Sequence, residues 1–327
     1  MIAFKLSELL GMQWTPAFRY VNVVMNGQYE GLYMLVESVK RNTRCRLDVS
    51  DTGYVAEFDA YFWNESIYVM STLEKVKSYP MHYTFKYPET DEITAEQIDY
   101  FSKAVHQAEK SLTKGDYAKY IDLDSFARWM LAHDILGNND GAGSNIFLTK
   151  YDDSDDTKFM MGCLWDMEGS FRTNKDWDSV HKLGLFFYDN LFNDAACQEF
   201  RNTYVSIWRN EGNAIFSAIM EFLNEFEYSD EAEAIRKSIA LDNLRWKTEN
   251  DAIETSIGKA RTWFTTRQSW LGNAIGGIPT GITDIQLKPS FADKPVFFNL
   301  HGQQVEDFTK GILIRKSANS TTRIFVR

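Results

Sequence analysis

The sequence predicts an α+β fold with a strand-rich first part, a helical second part and a small all-β module at the C-terminal end. Three observations support this prediction: alternating apolar runs around a tight-turn dipeptide near the start, helical periodicity over most of 186–274, and short alternating runs after a Gly- and Pro-containing stretch. We therefore expect two lobes, residues 1–112 and 113–274, followed by a linker over 275–281 and a β module over 282–327.

Composition narrows the possible functions. Hydrophobic residues make up 44% of the 327 residues and charged residues 25%, which is a folded globular composition and excludes a disordered or coiled-coil chain. The formal net charge of −11 would repel phosphate backbones and anionic lipid, so we expect no nucleic-acid partner. No apolar run approaches the roughly 20 residues that span a bilayer, so we expect no membrane span. The three cysteines form no CxxC pair, which excludes a zinc ribbon.

The first part is expected to contain one helix and several strands. The opening segment AFKLSELLG is an amphipathic helix typical of the middle of a domain, so we expect the chain to begin inside a longer protein. Residues 19–25 and 31–39 flank Asn26-Gly27, which predicts a β-hairpin. Further strand-like runs lie at 53–58, 67–71 and 82–87.

The second part is expected to be mostly helical. Thr94 caps a helix that runs to about Leu112. Another helix starts at Asp122 or Asp124 and ends at Leu136, before a polar loop too rich in Gly and Asn to continue it. The remaining pattern predicts two short strands and then two long helices, at 145–151, 159–167, 196–227 and 230–272.

The polar loop carries the residues with the clearest chemistry. Asp140 and Asn145 stand five residues apart between a helix and a short hairpin, and Asp166 follows the second strand of that hairpin. Protein kinases use this order: one carboxylate orients or deprotonates the acceptor hydroxyl, while the Asn oxygen and the second carboxylate hold Mg²⁺ against the phosphates. Asp, Asn and Gly are also what ordinary loops use, so the order of the motifs carries the prediction and neither motif does so alone.

Four segments resemble the CotH kinases, which are atypical protein kinases with a bilobal kinase-like fold. The segments lie at 19–39, 85–101, 121–148 and 161–171, in the order that the family shows. Members of this family transfer phosphate from ATP to secreted protein substrates, so the resemblance implies ATP and Mg²⁺ or Mn²⁺ as cofactors and a protein substrate as partner.

The resemblance also implies roles for individual residues. Asp140 corresponds to the catalytic acid of the loop, and Asn145 and Asp166 correspond to metal ligands. Glu168 stands where the family pattern WD-x-D has its second Asp, and its longer carboxylate can still bind the metal. The hairpin reads NGQYEG and has no G-x-G-x-x-G, so we expect the nucleotide to be held without a glycine-rich loop.

A kinase-like site also needs a lysine for the phosphates and a carboxylate that holds it. Lys86 lies on a strand-like run just before the helix that carries Glu96, so Glu96 is one candidate partner. Glu37, at the end of the hairpin motif, is the other. His133, on the helix before the polar loop, is expected to be structural or to orient the loop.

The C-terminal segment bears on location. Its sequence NLHGQQVEDFTKGILIR resembles the tails of many exported Bacteroidetes proteins, which implies an extracellular, periplasmic or cell-surface location and attachment to the surface. Two other functions stay open at this point. One is a non-catalytic binding or structural protein with a kinase-like fold; the other is a glycan-active enzyme using paired carboxylates from Glu57, Asp59, Asp166 and Glu168.

Overall fold

The computed structural model describes residues 1–42, 46–73, 81–138, 145–171 and 187–280, together with the backbone of four strands between 281 and 327. The chain forms two compact units, Met1–Thr280 and Gly281–Arg327. The described elements of the first unit are α1 (Ile2–Leu9), β1 (Phe18–Met25), β2 (Gln28–Val36), β3 (Tyr54–Asp59), β4 (Tyr68–Met70), β5 (His82–Tyr87), α2 (Ala95–Ser111), α3 (Leu123–Leu136), β6 (Ile146–Lys150), β7 (Phe159–Met161), α4 (Tyr188–Asn193), α5 (Gln198–Glu227), α6 (Asp230–Trp246) and α7 (Ile253–Gly276).

The predicted hairpin is confirmed. Strands β1 and β2 pair antiparallel, with Met25 opposite Gln28 across the turn. Asn26 and Gly27 both have positive φ, 51° and 78°. A two-residue turn with this geometry matches the twist of the flanking strands, which is why Asn-Gly is such a strong signal. These two strands form a sheet of their own.

The larger sheet has five strands in the order β4-β5-β3-β6-β7. Strand β3 is central and pairs antiparallel with β5 on one edge and β6 on the other. Because β6 and β7 come from beyond residue 112, the sheet crosses the expected boundary between the lobes 1–112 and 113–274. That division is therefore not seen in the sheet, since β3 uses its second edge to pair with a strand from the later part of the chain.

Each face of this sheet buries its own apolar cluster. On one face Tyr54, Tyr83 and Phe85 pack around Phe101 of α2. On the other face a smaller buried cluster contains Trp14, Leu47, Val49, Val55, Phe147 and Cys163. Because successive residues of a strand point to opposite faces, each inward side chain packs in one of the two clusters.

The helices follow local signals closely at their N-termini. Thr94 caps α2 in a reciprocal capping box with Gln97, and the Asp122 side chain accepts a hydrogen bond from Ser125 N–H at the start of α3. Helix α3 is buried at nearly every position from Phe126 onward, as expected for a helix surrounded by α5, α7 and the sheet. No helix in the described ranges is both long and apolar enough to cross a bilayer.

Three predicted boundaries were wrong. The helix expected over 230–272 is two helices, because Lys247 adopts a left-handed conformation with φ 53° and the polar segment after it supplies no apolar face. Helix α7 continues through Gly276, so the first two residues of the expected linker are helical. Strand β7 ends at Met161 and does not run to 167, because a single helical turn over Met167–Gly169 follows.

The second unit contains four described strands: β8 (Val296–Phe298), β9 (Gln304–Val305), β10 (Gly311–Ser317) and β11 (Ser320–Val326). They form one sheet in the order β11-β10-β8-β9. The pairing of β10 with β11 joins Gly311 to Val326 and Ser317 to Ser320.

Helix α7 holds the C-terminal end of α3. Trp263 Nε1 donates to the Ile135 carbonyl at 3.1 Å, and the buried Arg267 guanidinium donates twice to the Asp134 carbonyl, at 2.8 and 2.6 Å. These carbonyls belong to the last turn, where a helix has no partners of its own. Gly137 ends α3 with φ 61°, and a Cβ there would lie 2.6 Å from the Trp263 ring. The end of α3 is therefore in close contact with α7.

We expect Gly137→Ala to lower the free energy of unfolding by about 2–4 kcal/mol, because it adds left-handed strain and a clash with Trp263. Gly272→Ala is the matched control. A Cβ on this α7 glycine would have no described neighbour within 4 Å outside the helix backbone, so the alanine should raise stability by about 0.5–1 kcal/mol through helix propensity. Urea denaturation measures both. Equal changes in the free energy of unfolding for the two substitutions would show that neither the contact with Trp263 nor the left-handed conformation of Gly137 contributes to stability.

Candidate functional site

Lys86 lies at an irregularity of the sheet. Val55 pairs with Tyr87 and Ala56 with Phe85, so the register shifts and Lys86 has no paired residue on β3. Such bulges redirect side chains and occur often beside active sites. The Lys86 amine is 3.0 Å from the Glu57 carboxylate, and the two side chains are 32% and 12% exposed. Lys86 is thus held by a carboxylate on the neighbouring strand.

The electrostatics of this pair are set mainly by burial. Burial raises the pKa of Glu57, the Lys86 amine opposes that rise, and the nearby carboxylates Asp59 and Glu65 add to it. The Lys86 ammonium favours the ionised form of the Glu57 carboxylate, and the carboxylate fixes the position of the ammonium group. The pair therefore presents a positioned ammonium group at the surface of the sheet.

The expected pairing of Lys86 with Glu96 or Glu37 is wrong. Glu96 lies exposed in the first turn of α2, where hydrogen bonding from its own backbone N–H lowers its pKa. Helix α2 covers the sheet face that contains Phe85 and Ala56, whereas Glu57 alternates to the opposite face. Glu37 instead accepts a hydrogen bond from Ala17 N–H at 2.9 Å and lies 4.0 Å from Arg46.

The structure does bring Asn145 and Asp166 together. The Asn145 side-chain amide donates to the Asp166 carboxylate at 3.1 Å. Both residues have positive φ, 58° and 50°, and Asn and Asp tolerate this conformation better than other residues with side chains. Asn145 directly precedes β6, and Asp166 directly precedes the helical turn Met167–Gly169. Two neighbouring left-handed residues aim these side chains at each other, as is common at functional sites.

The loop between these residues and α3 is only partly described. Asp140 lies outside the described residues. Asn138, the last described residue before it, is buried; its N–H donates to the His133 carbonyl at 3.0 Å and its side chain contacts the Met167 sulfur at 3.4 Å. The start of the loop is thus tied to the turn that follows Asp166.

An apolar cavity of about 610 Å³ lies beside Asp166. The hairpin contributes Tyr20, Met34 and Val36 to its wall, and Asp166 and Glu168 are its two acidic lining residues. The rest of the lining is Met1, Ile2, Ala3, Phe4, Leu136, Trp165, Met167, Ser170 and Phe171. This size and this mixture of apolar wall and few polar groups are typical of small-molecule sites.

The donor set at Asn145 and Asp166 fits a hard divalent cation. An amide oxygen and a carboxylate are ligands that Mg²⁺ and Mn²⁺ accept, and Mg²⁺ is commonly held by one or two carboxylates with the remaining positions filled by water and phosphate. Within the described ranges no three His, Cys, Asp or Glu side chains are grouped to hold a metal ion. A metal here would therefore depend on its phosphate ligands, and Glu168 is the nearest further carboxylate in sequence.

Comparison with known proteins identifies the family. The chain matches the sequence profile of the CotH kinase protein family over residues 1–271. It belongs to the CotH kinase family. It is also 26% identical over 163 residues to the inner spore coat protein H of Bacillus subtilis (strain 168), a match that covers 48% of this chain and 42% of that protein. The chain thus aligns with less than half the length of this curated relative.

Glu57 is the residue of this CotH family member whose role the sequence did not reveal. The sequence places it only among the carboxylates of a glycan-active enzyme, together with Asp59, Asp166 and Glu168. Asp59 accepts a hydrogen bond from Tyr61 N–H at 2.7 Å and Glu57 is paired with Lys86. A signal was present: Glu57 is the one charged residue inside the apolar run YVAEF, and a charge in a buried strand requires a partner.

His133 is buried in α3 with its ring 4.1 Å from that of Trp129. Neither ring nitrogen has a hydrogen-bond partner in the described part of the chain, and burial lowers the pKa of His133 from 6.5 to about 3. The residue is therefore neutral and packed. Of the two expected roles, the structural one agrees with these contacts.

Because folded His133 binds its proton only near pH 3 while the unfolded chain binds it near 6.5, stability falls as pH drops below 6.5. We expect this residue to cost about 2 kcal/mol at pH 5 relative to pH 8. His133→Phe should remove that part of the pH dependence, as measured by urea denaturation at both pH values. An unchanged difference between pH 8 and pH 5 would show that folded His133 becomes protonated in place.

Proposed function

We propose that this protein is an ATP- and divalent-metal-dependent phosphotransferase that acts on exported proteins. The observation that carries the proposal is the contact between Asn145 and Asp166 at the edge of an apolar cavity beneath the hairpin. Family membership supports the same reaction class, since the family is described as one of kinases. Lys86, on the same five-stranded sheet as the strand that follows Asn145, is proposed as the third part that phosphate transfer requires, although it is not among the residues that line the cavity.

Each residue then has a distinct task. The apolar wall from the hairpin and Phe171 suits the flat face of a nucleobase, and the Lys86 ammonium suits the phosphate oxygens. Glu57 restrains Lys86, so that less side-chain entropy is lost when phosphate binds. Asp140 is assigned to the acceptor hydroxyl from its place in the family motif alone, because it lies outside the described residues.

The metal would be held by Asn145 and Asp166. When bound, a divalent cation neutralises phosphate charge that develops during transfer. The protein's own contribution is to keep the two side chains next to each other through their hydrogen bond and left-handed backbones, and the Asn145 amide would turn its oxygen toward an arriving cation. Glu168, which lines the same cavity, is available to a metal-bound water.

The proposed partner is an exported protein, and the proposed location is extracellular, periplasmic or on the cell surface. Two observations support this. The curated relative is named as a spore coat protein, and the sequence of the C-terminal segment predicts an export or attachment tail. We propose that the segment 282–327 serves attachment and takes no part in phosphate transfer, since the candidate site residues all lie within Met1–Thr280.

The partner of Lys86 can be tested by comparing two glutamates. Lys86→Ala should lower kcat/KM for ATP by about 100-fold, because the phosphates lose a positioned cation. Glu57→Gln should lower it by about 10-fold, because the lysine loses its restraint. Glu96→Gln, the control suggested by the sequence, should change it by less than about 2-fold, since that side chain is exposed on another face.

The measurement is transfer of labelled phosphate from ATP to the protein itself or to candidate exported proteins, with circular dichroism to confirm folding. A large loss in Glu96→Gln with none in Glu57→Gln would reverse the assignment. Failure of ATP with Mg²⁺ or Mn²⁺ to raise the melting temperature of the wild type would favour the non-catalytic function.

The metal assignment has its own test. Asp166→Ala should reduce phosphate transfer by about 1,000-fold or more, corresponding to a loss of about 4 kcal/mol of transition-state stabilisation. Asp156→Ala removes an exposed carboxylate from the β6–β7 connection and should leave transfer unchanged. Titrating Mn²⁺ against both variants separates binding from turnover. Wild-type activity in Asp166→Ala would refute the metal assignment.

A further inference from the structure

The β1–β2 hairpin is held in place mainly by contacts other than strand pairing. Within the described residues it forms a two-stranded sheet and has no hydrogen-bonded neighbour in the five-stranded sheet. The side chains of Tyr20, Met34 and Val36 face the cavity, while Leu35 is 64% exposed on the other side. An isolated two-stranded hairpin is at most marginally stable in water, so its position depends on what it packs against.

Helix α6 supplies the polar contacts along one side of the hairpin. The Asp242 carboxylate accepts from Leu32 N–H at 2.8 Å. Arg245 donates to the Tyr29 carbonyl at 2.9 Å and pairs with Glu30 at 2.7 Å. These contacts satisfy backbone groups of β2 that strand pairing leaves open. We name Asp242 and Arg245, with these three contacts, the α6 latch.

The approach of β2 to α6 depends on Gly31. Its φ is 132°, and a Cβ at this position would lie 2.7 Å from Trp246 Nε1 and 2.9 Å from the Asp242 carboxylate. Any other residue would be strained at this positive φ and would have to displace the Trp246 or Asp242 side chain. Gly31 of the hairpin motif therefore allows the close contact between β2 and α6.

Asp242 also connects the hairpin to the chain beyond α6. Its second carboxylate oxygen accepts from the Asn250 side chain at 3.1 Å, in the segment that joins α6 to α7. One carboxylate therefore bridges β2 and the α6–α7 connection. The bond from Leu32 N–H requires an acceptor oxygen at this position, so truncating Asp242 leaves that backbone group without its partner.

We propose that the α6 latch holds the hairpin closed over the cavity, so that its opening sets the rate at which nucleotide leaves. Asp242 is then a positioning residue that acts through β2. The claim about nucleotide rests on the proposed function, whereas the claim that the latch holds the hairpin does not.

The test compares Asp242→Ala, Asp242→Asn and Glu254→Gln in the full chain. Asn keeps an acceptor for Leu32 N–H, and Glu254→Gln removes a carboxylate from an exposed ion pair with Arg236 that joins α6 to α7. The first readout is amide hydrogen exchange without nucleotide. We expect about 10-fold faster exchange in β1 and β2 for Asp242→Ala, near wild-type exchange for the other two, and unchanged protection in α3.

The second readout is the dissociation rate of a fluorescent ATP analogue with Mg²⁺. We expect about 10-fold faster dissociation for Asp242→Ala and a change of less than about 2-fold for Asp242→Asn and Glu254→Gln. Unchanged hairpin exchange in Asp242→Ala would overturn the latch. Faster exchange with unchanged dissociation would overturn the claim that opening of the hairpin sets the rate at which nucleotide leaves. If the wild type binds no analogue, the proposed function fails, and exchange alone decides the latch.

Discussion

Strand β3 is hydrogen bonded along both edges, to β5 and to β6, and the candidate site depends on this double pairing. Glu57 is opposite Thr84 on one side and Phe147 on the other, which places it beside both the strand of Lys86 and the strand that Asn145 precedes. The ladder thus joins a lysine from the early part of the chain to the Asn145–Asp166 pair from the later part.

The other side of the site is held by buried helices. Helix α3 directly precedes the polar loop. Trp263 and Arg267 of α7 donate hydrogen bonds to the last carbonyls of α3. Tyr204 of α5 donates to the Asp134 carboxylate within the same buried region. Because these groups would cost free energy if left unpaired in the interior, they restrict α3 to one position and thereby fix where the loop begins. Precision in the site therefore comes from helices far from it in sequence.

The cavity beneath the hairpin is covered without a glycine-rich loop. Glycine-rich loops place backbone N–H groups against phosphates. Here the hairpin offers apolar side chains to the cavity, and its close backbone approach, at Gly31, is directed at α6. Lys86 lies on β5, paired with Glu57, and the hairpin is joined to α6 through Asp242 and Arg245. In this CotH family member the short motif NGQYEG therefore supplies the turn of the hairpin and its close contact with α6.

The sequence by itself determined the features whose causes are local. Asn26-Gly27 specified the hairpin, Thr94 and Asp122 specified two helix starts, and the order of Asn145 and Asp166 around a short hairpin indicated that they would meet. Only the tertiary structure decided the partner of Lys86. Whether Glu57 or Glu96 can reach the amine depends on which face α2 covers and on a register shift between β3 and β5. Both depend on contacts between distant segments that no spacing encodes. The placement of α6 against the hairpin is tertiary in the same way, since Asp242 and Arg245 contact β2 from more than 200 residues away in sequence.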